Sequence, residues 1–138
     1  MADAMTISAS GLQAALQTLS SVAANLANAN SNGPVPGTPP TQAVAQTAGS
    51  VYQPTVSVQS TAADGGVTTS LQPSLPAYNL AYDPQAPYAN MQGMIATPNV
   101  DMPTQIIDQI EAVNSFRANL AVYKVASGLY KSLLDTIA

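Results

Sequence analysis

The chain has no histidine and no cysteine, and only three basic residues among 138. Each absence closes a route. Histidine is the side chain that titrates near neutral pH without help, so the commonest general base is missing. Cysteine's absence removes the thiol nucleophile and every disulfide, and losing both residues removes the ordinary zinc sites. Charged residues make up 7%, against roughly 25% in an ordinary soluble domain. A surface that poor in charge favours association, because large uncharged patches are left in water. Net charge is −4 and the first basic residue is Arg117. With no basic patch to displace counterions from phosphates, the composition argues against nucleic-acid binding and against an anionic membrane surface. No window approaches eighteen consecutive apolar residues, so direct membrane insertion is not expected. The first thirty residues carry no Lys or Arg for the n-region of a cleavable signal. The expectation is a cytosolic start, unless a route independent of such signals exports the chain.

Proline is missing from both ends. All eleven prolines lie between residues 34 and 103. At the amino end, Met5, Leu12, Leu19 and Leu26 recur every seven residues, and Ala9, Leu16, Ala23 and Asn30 form a second row four places on. The alternating three–four spacing predicts a coiled-coil-like helix over about residues 5 to 29, roughly 37 Å long. An amphipathic helix packed in a globular core is the alternative. Against it stands the lack of charge on the far side, since Asp3 is the one charged residue before Asp64. The run Asn28-Ala29-Asn30-Ser31-Asn32-Gly33-Pro34 supplies the stop.

At the carboxyl end, Ile106, Val113, Leu120, Ser127 and Leu134 form one seven-residue row, and Gln109, Phe116, Tyr123, Tyr130 and Ile137 the other. They predict a helix of roughly 50 Å from Pro103. Asp101 is placed to cap it, and Asp108 and Glu111 load acid toward its positive end. Gly128 interrupts the pattern, either as a tolerated helix glycine or as a site of close helix contact. Arg117, Lys124 and Lys131 fall on a single row flanking the seam, the position that selects partners in coiled coils. A solvated stripe and a row of contacts to a neighbouring subunit are both consistent with it.

In the middle, residues 34 to 50 have the Pro, Gly, Thr, Ala and Gln composition of a flexible link. Val56 and Val58, then Val67, Thr69 and Leu71, alternate with other residues around Asp64-Gly65-Gly66, which predicts a small hairpin. Beyond it, Pro73, Pro76, Pro84, Pro87 and Pro98 predict an extended path. The expected fold is therefore mainly α: two long terminal helices forming a coiled-coil-like antiparallel pair, joined by an extended Pro-rich middle with a small β-hairpin. Residues 1–33 plus 101–138 would form the helical core, and 34–100 the linker and hairpin region.

Catalytic chemistry finds no foothold. Asp108 and Glu111 share a helix face, but the helix dipole accounts for them. Asp64 and Asp83 precede Gly and Pro and read as turn residues. No phosphate-binding loop, dinucleotide fingerprint, nucleophile elbow or EF-hand loop is present. Neither an enzyme nor a cofactor or metal site is expected.

The stretch Ile7-Ser8-Ala9-Ser10-Gly11-Leu12, followed by Ala24-Asn25-Leu26-Ala27-Asn28-Ala29-Asn30, resembles the amino-terminal signature of flagellar basal-body rod proteins. Tyr82-Asp83-Pro84, Asn90, Gly93 and Pro98-Asn99-Val100-Asp101 are similar to the Y-D-P…A-N…G…P-N-V-D pattern of the short proximal-rod subunits. Ser115-Phe116-Arg117-Ala118-Asn119-Leu120 resembles that family's S-R-x-Y-x-A-N-(V/L) motif. The basic residues usual in the family's first helix, and the Tyr-Arg-Arg stretch after it, are absent here. The resemblance implies a subunit exported unfolded by the flagellar type III apparatus, without a cleavable signal, that polymerises in the periplasm with itself and other rod subunits. Its terminal helices would line a hollow rod that transmits torque. A discrete soluble oligomer, acting as a divergent coiled-coil adaptor, is the alternative. The residues expected at the assembly interface are Leu12, Leu16, Leu19, Leu26, Asn28, Asn30, Ile106, Val113, Phe116, Arg117, Leu120, Tyr123, Lys124, Tyr130 and Leu134.

Overall fold

The computed structural model describes residues 2–39, 41, 49–63 and 65–137. Most of the expected flexible link after residue 39, and Asp64 of the expected turn, lie outside the described residues. In chain order the elements are α1 (Ala2–Ala27), β1 (Thr55–Thr61), β2 (Val67–Pro73), β3 (Tyr78–Tyr82), β4 (Met94–Pro98) and α2 (Met102–Ile137).

This corrects the expected fold class. The chain is not a mainly α coiled-coil pair on a Pro-rich linker, because four strands in two separate antiparallel sheets, β1–β2 and β3–β4, accompany the helices. The second sheet was hidden by proline. Pro73 and Pro98 end their strands, while Pro76, Pro84 and Pro87 lie in connections, where a missing N–H breaks no ladder. Proline therefore punctuates these short strands instead of forbidding them.

The chain divides into two compact units. The first comprises Met1–Val22, Ser57–Gln72 and Ile106–Ala138. Here α1 turns a stripe of small residues inward. Ser8, Gly11, Ala15 and Val22 are buried and Thr18 is half-buried, again at three–four spacing. On α2 the inward row is Ala112, Asn119 and Ala126, with Phe116 and Tyr123 half-buried between them. Small side chains permit close approach. A Cβ added to Gly11 would lie 2.6 Å from Asn119 Oδ1. Ala4 shares a groove with Ala126, so moving seven residues back along α1 moves seven forward along α2. The helices run antiparallel in this unit.

The β1–β2 hairpin is held to α1 by hydroxyls. Ser10 Oγ donates to the Ile7 carbonyl at 2.7 Å and accepts the Val67 N–H at 3.1 Å. Thr18 Oγ1 and Ser57 Oγ lie 2.8 Å apart. Ser57, Val67 and Thr69 are half-buried, whereas Val58 and Leu71 are exposed. The turn demands glycine twice, with Gly65 at φ +83° and Gly66 at φ +96°. A Cβ on Gly66 would also come within 2.5 Å of Ser10 Oγ.

The second unit comprises Ala23–Val56 and Pro73–Gln105. In β3–β4, Tyr78 pairs with Pro98, Leu80 with Ala96 and Tyr82 with Met94. The other edge of β4 is taken by Gly33, which exchanges two 2.9 Å backbone hydrogen bonds with Ala96. The apolar core of this unit lies here: Ala96 is 0% exposed, and Ile95, Ala89 and Val51 are buried. Gly33 has no room for a side chain, since a Cβ would sit 2.6 Å from the Val51 nitrogen.

The glycines give a paired prediction. Gly66→Ala should lower stability by about 1–3 kcal/mol, through left-handed backbone strain and the Ser10 clash. Gly128→Ala, mid-helix with open space around it, should raise it by roughly 0.5–1 kcal/mol. Thermal denaturation of the two variants checks the signs.

Candidate functional site

The contact stripe of α1 is displaced from the leucine seam read in the sequence. Leu12, Leu19 and Leu26 are half-buried, and Leu16 is 54% exposed. On α2 the contact row runs through Ala112, Asn119 and Ala126, one position before the Val113, Leu120 and Ser127 row. Val113, Phe116, Leu120 and Tyr123 are half-buried, while Ile106, Arg117, Lys124, Tyr130 and Leu134 are exposed. Asn28 caps the end of α1: its Nδ2 donates to the Ala24 carbonyl at 2.9 Å, and its Oδ1 accepts from Ser31 Oγ at 3.1 Å. Asn30 is exposed.

The result is an inverted distribution of size. Each helix turns mostly small or polar side chains toward its intrachain partner, with Phe116 and Tyr123 half-buried among them, and leaves many large apolar ones exposed. Ile107, Ile110, Val122, Val125, Leu129 and Leu133 are all exposed on α2, with Val125 at 64%. Within the first unit, Ala4, Ala121, Val122, Val125, Ala126 and Leu129 line an open apolar groove. These outward residues escaped the sequence reading, because the largest residues were assigned to the seam. The signal that finds them is the parallel three–four row of small residues, Ser8 through Asn25.

Asn25, part of the amino-terminal motif but not among the expected interface residues, is tied into the second unit by four side-chain hydrogen bonds. It is 3% exposed. Its Nδ2 donates to the Thr55 carbonyl and to Gln105 Oε1, both at 2.8 Å. Its Oδ1 accepts the Thr55 N–H and the Tyr52 hydroxyl, both at 3.0 Å. One amide thus fills all four of its hydrogen-bond positions and ties the end of α1 to the start of β1 and the first turns of α2.

The remaining motif residues build the approach to α2. Asn90, buried, accepts the N–H groups of Gln92 at 3.0 Å and Met94 at 2.9 Å through Oδ1. Asp83 Oδ1 accepts the Gln85 N–H at 3.2 Å, and the Asp83 N–H donates to the Gly93 carbonyl at 2.9 Å. Gly93, at φ +72°, lies where a Cβ would be 2.9 Å from the Tyr82 ring. Asn99 Nδ2 donates to the Pro76 carbonyl at 2.9 Å, and its Oδ1 accepts from Asn79 Nδ2 at 2.9 Å. Asp101 accepts the Thr104 hydroxyl and, through its carbonyl, the Gln105 N–H at 3.0 Å, which starts the helix. These residues are architectural. Among the described residues no cluster of His, Cys, Asp or Glu could hold a metal ion, and no helix is long and apolar enough to cross a membrane.

Asn25→Ala should therefore destabilise the second unit by about 3 kcal/mol, since four hydrogen bonds vanish inside a buried site. Asn25→Asp should fail as well, because a carboxylate cannot donate to the Thr55 carbonyl or to Gln105. Asn30→Ala should leave the melting temperature within about 1 °C, as an exposed substitution away from structural features does. Thermal melts of the three variants decide this.

Comparison with known proteins agrees with the motifs. The family described as "Flagellar basal body rod FlgEFG protein C-terminal" matches residues 91–136, which span β4 and nearly all of α2. The flagellar basal-body rod protein FlgC of Aquifex aeolicus is 30% identical over 133 residues, covering 96% of this chain and 94% of the relative. FlgC of Agrobacterium fabrum is 32% identical over 139 residues, covering 97% and 93%. FlgC of Yersinia enterocolitica is 32% identical over 126 residues, covering 89% and 87%. With likeness running along nearly the whole of both chains, this chain belongs to the FlgC family of flagellar basal-body rod proteins.

Proposed function

We propose that the chain is a structural subunit of the proximal part of the flagellar rod. It assembles through its terminal helices with copies of itself and with other rod subunits into a hollow axial structure that transmits torque. The observation that supports this most directly is the exposed apolar face of α2. Large apolar side chains are exposed along most of its length, while its most buried positions, Ala112 and Ala126, are small. Full burial of one such Val, Leu or Ile contributes about 1.5–3 kcal/mol, a gain the lone chain forgoes. The segments 1–33 and 101–138 act as the assembling core, and 34–100 carry the sheets that meet neighbouring subunits.

Export fits the same reading. A helix contact made of Ala, Ser and Gly buries little apolar area, so the isolated chain is marginally stable and easily threaded unfolded through the type III apparatus into the periplasm. The family supports this placement, and the absence of cysteine is compatible with an oxidising compartment. No catalytic or cofactor role is proposed.

Val125→Asp combined with Leu129→Asp tests the reading. Both positions are exposed in the lone chain, so helix content by circular dichroism should change little. Assembly should be lost, with no incorporation into basal bodies and no swimming in a strain lacking the native subunit. Normal incorporation of the double variant overturns the proposal. A closed oligomer of fixed size in sedimentation, with none of the chain in basal bodies, would support an adaptor instead.

A further inference from the structure

The β3–β4 sheet has one edge closed and one edge open. The Asn99 N–H donates to the Ala77 carbonyl at 3.1 Å, and the Asp83 N–H to the Gly93 carbonyl at 2.9 Å. With Leu80 opposite Ala96 in the ladder, the odd-numbered residues of β3 turn their backbone groups toward β4, and Tyr78, Leu80 and Tyr82 turn theirs away. The outer edge of β4 is closed. Gly33 takes both backbone groups of Ala96, Asn90 takes those of Met94 at 2.9 and 3.0 Å, and the Pro98 carbonyl accepts the Val100 N–H at 3.0 Å. Among the described residues, none partners the outward backbone groups of β3, which ends the two-stranded sheet. Leu80 is 57% exposed and Tyr82 71%. Sheet edges are commonly guarded by a lysine, a proline or a bulge. Residues 77 to 82 contain no charge and no proline, and their pairing with β4 runs without a bulge.

We propose that this open edge pairs with the same edge of a second copy, antiparallel and centred on Leu80. The sequence around it is nearly a palindrome. Tyr78 and Tyr82 stand two places either side of Leu80, and Pro76 and Pro84 four places either side. In the centred register Leu80 faces Leu80, and Tyr78 faces Tyr82 of the second copy. Every outward residue then meets an outward residue, and each facing pair exchanges two backbone hydrogen bonds. Sliding one copy by two residues sets Pro76 against Tyr82 or Pro84 against Tyr78, and proline has no N–H to give. The two prolines thus frame the ladder and fix its register. Charge agrees with the pairing: Asp83, the one charge beside the strand, faces Ala77 and not its own counterpart. Tyrosine beside tyrosine and leucine beside leucine are favourable cross-strand neighbours. Five residues a side fall well short of the roughly 20–30 of a standard interface, so the pair is weak and forms at high local concentration. The contact is isologous and closes at two copies. An axial assembly whose copies all point one way cannot repeat it. The open edge therefore holds copies in pairs outside that assembly, independently of the α2 face.

The absence of native cysteine makes the test direct. Full-length Leu80→Cys, mildly oxidised, should give a disulfide homodimer, since facing Cα atoms about 5.5 Å apart suit the bond. Tyr78→Cys and Tyr82→Cys should give none singly and a mixed dimer when combined. Met91→Cys, 81% exposed but off the edge, should give none. Adding Leu80→Lys to both tyrosine variants should remove the mixed link, because two cations then face each other. No Leu80→Cys dimer, or an equal yield from Tyr82→Cys alone, overturns the pairing. Where circular dichroism shows that a tyrosine variant has lost its fold, Leu80→Cys against Met91→Cys decides. Leu80→Lys alone should enter basal bodies as the unmodified chain does, and its exclusion overturns the placement of the contact outside the assembly. Failure of the unmodified chain to enter basal bodies overturns the assembly reading instead, and a Leu80→Cys dimer still supports the pairing.

Discussion

The close approach of two helices on small side chains is the constraint from which the other features follow. Gly11 against Asn119 leaves no space for even a methyl group. Once the intrachain contact is built from Ser8, Gly11, Ala15 and Val22, Leu16 of α1 and most isoleucines and valines of α2 are left exposed. A tight helix contact and a large apolar interface cannot occupy one stripe. The chain uses small residues for itself and large ones outward.

Polar groups do the specifying inside the subunit. Ser10 and Thr18 fix the hairpin on α1, and Asn25 fixes the junction where α1, β1 and α2 meet in the second unit. Hydrogen bonds of this kind contribute about 0.5–1.5 kcal/mol each in net terms, but leaving their partners buried and unsatisfied costs more. They therefore define one arrangement more strongly than they stabilise it. Internal geometry is thus set by directional bonds, while many large apolar side chains remain on the surface.

The family motifs acquire physical content in this light. Asn25 of the amino-terminal motif is the junction clamp, and Asn28 is a cap. Asp83, Asn90 and Gly93 close the β3–β4 loop, while Asn99 and Asp101 carry the chain from β4 into α2. None of these residues points to catalysis. They occur where the backbone must turn sharply or where helices meet, which accounts for residue types that are small, amide-bearing or glycine.

Several properties were legible in the residues alone. The proline-free ends pointed to helices there, because nothing in them breaks the helical ladder. The hairpin at Gly65-Gly66 was legible too, since successive glycines before an alternating run have few other uses. The tertiary structure decided which stripe of each helix faces inward. Heptad spacing places several rows at the same period, and the choice depends on which residues are small enough for close approach, not on which are most hydrophobic. It also decided the second sheet, since five-residue strands flanked by proline carry too little local preference to declare themselves. β4 pairs with β3 on one edge and with Gly33 on the other, and the Gly33–Ala96 bonds reach across 63 residues of chain, a long-range contact that no local pattern encodes.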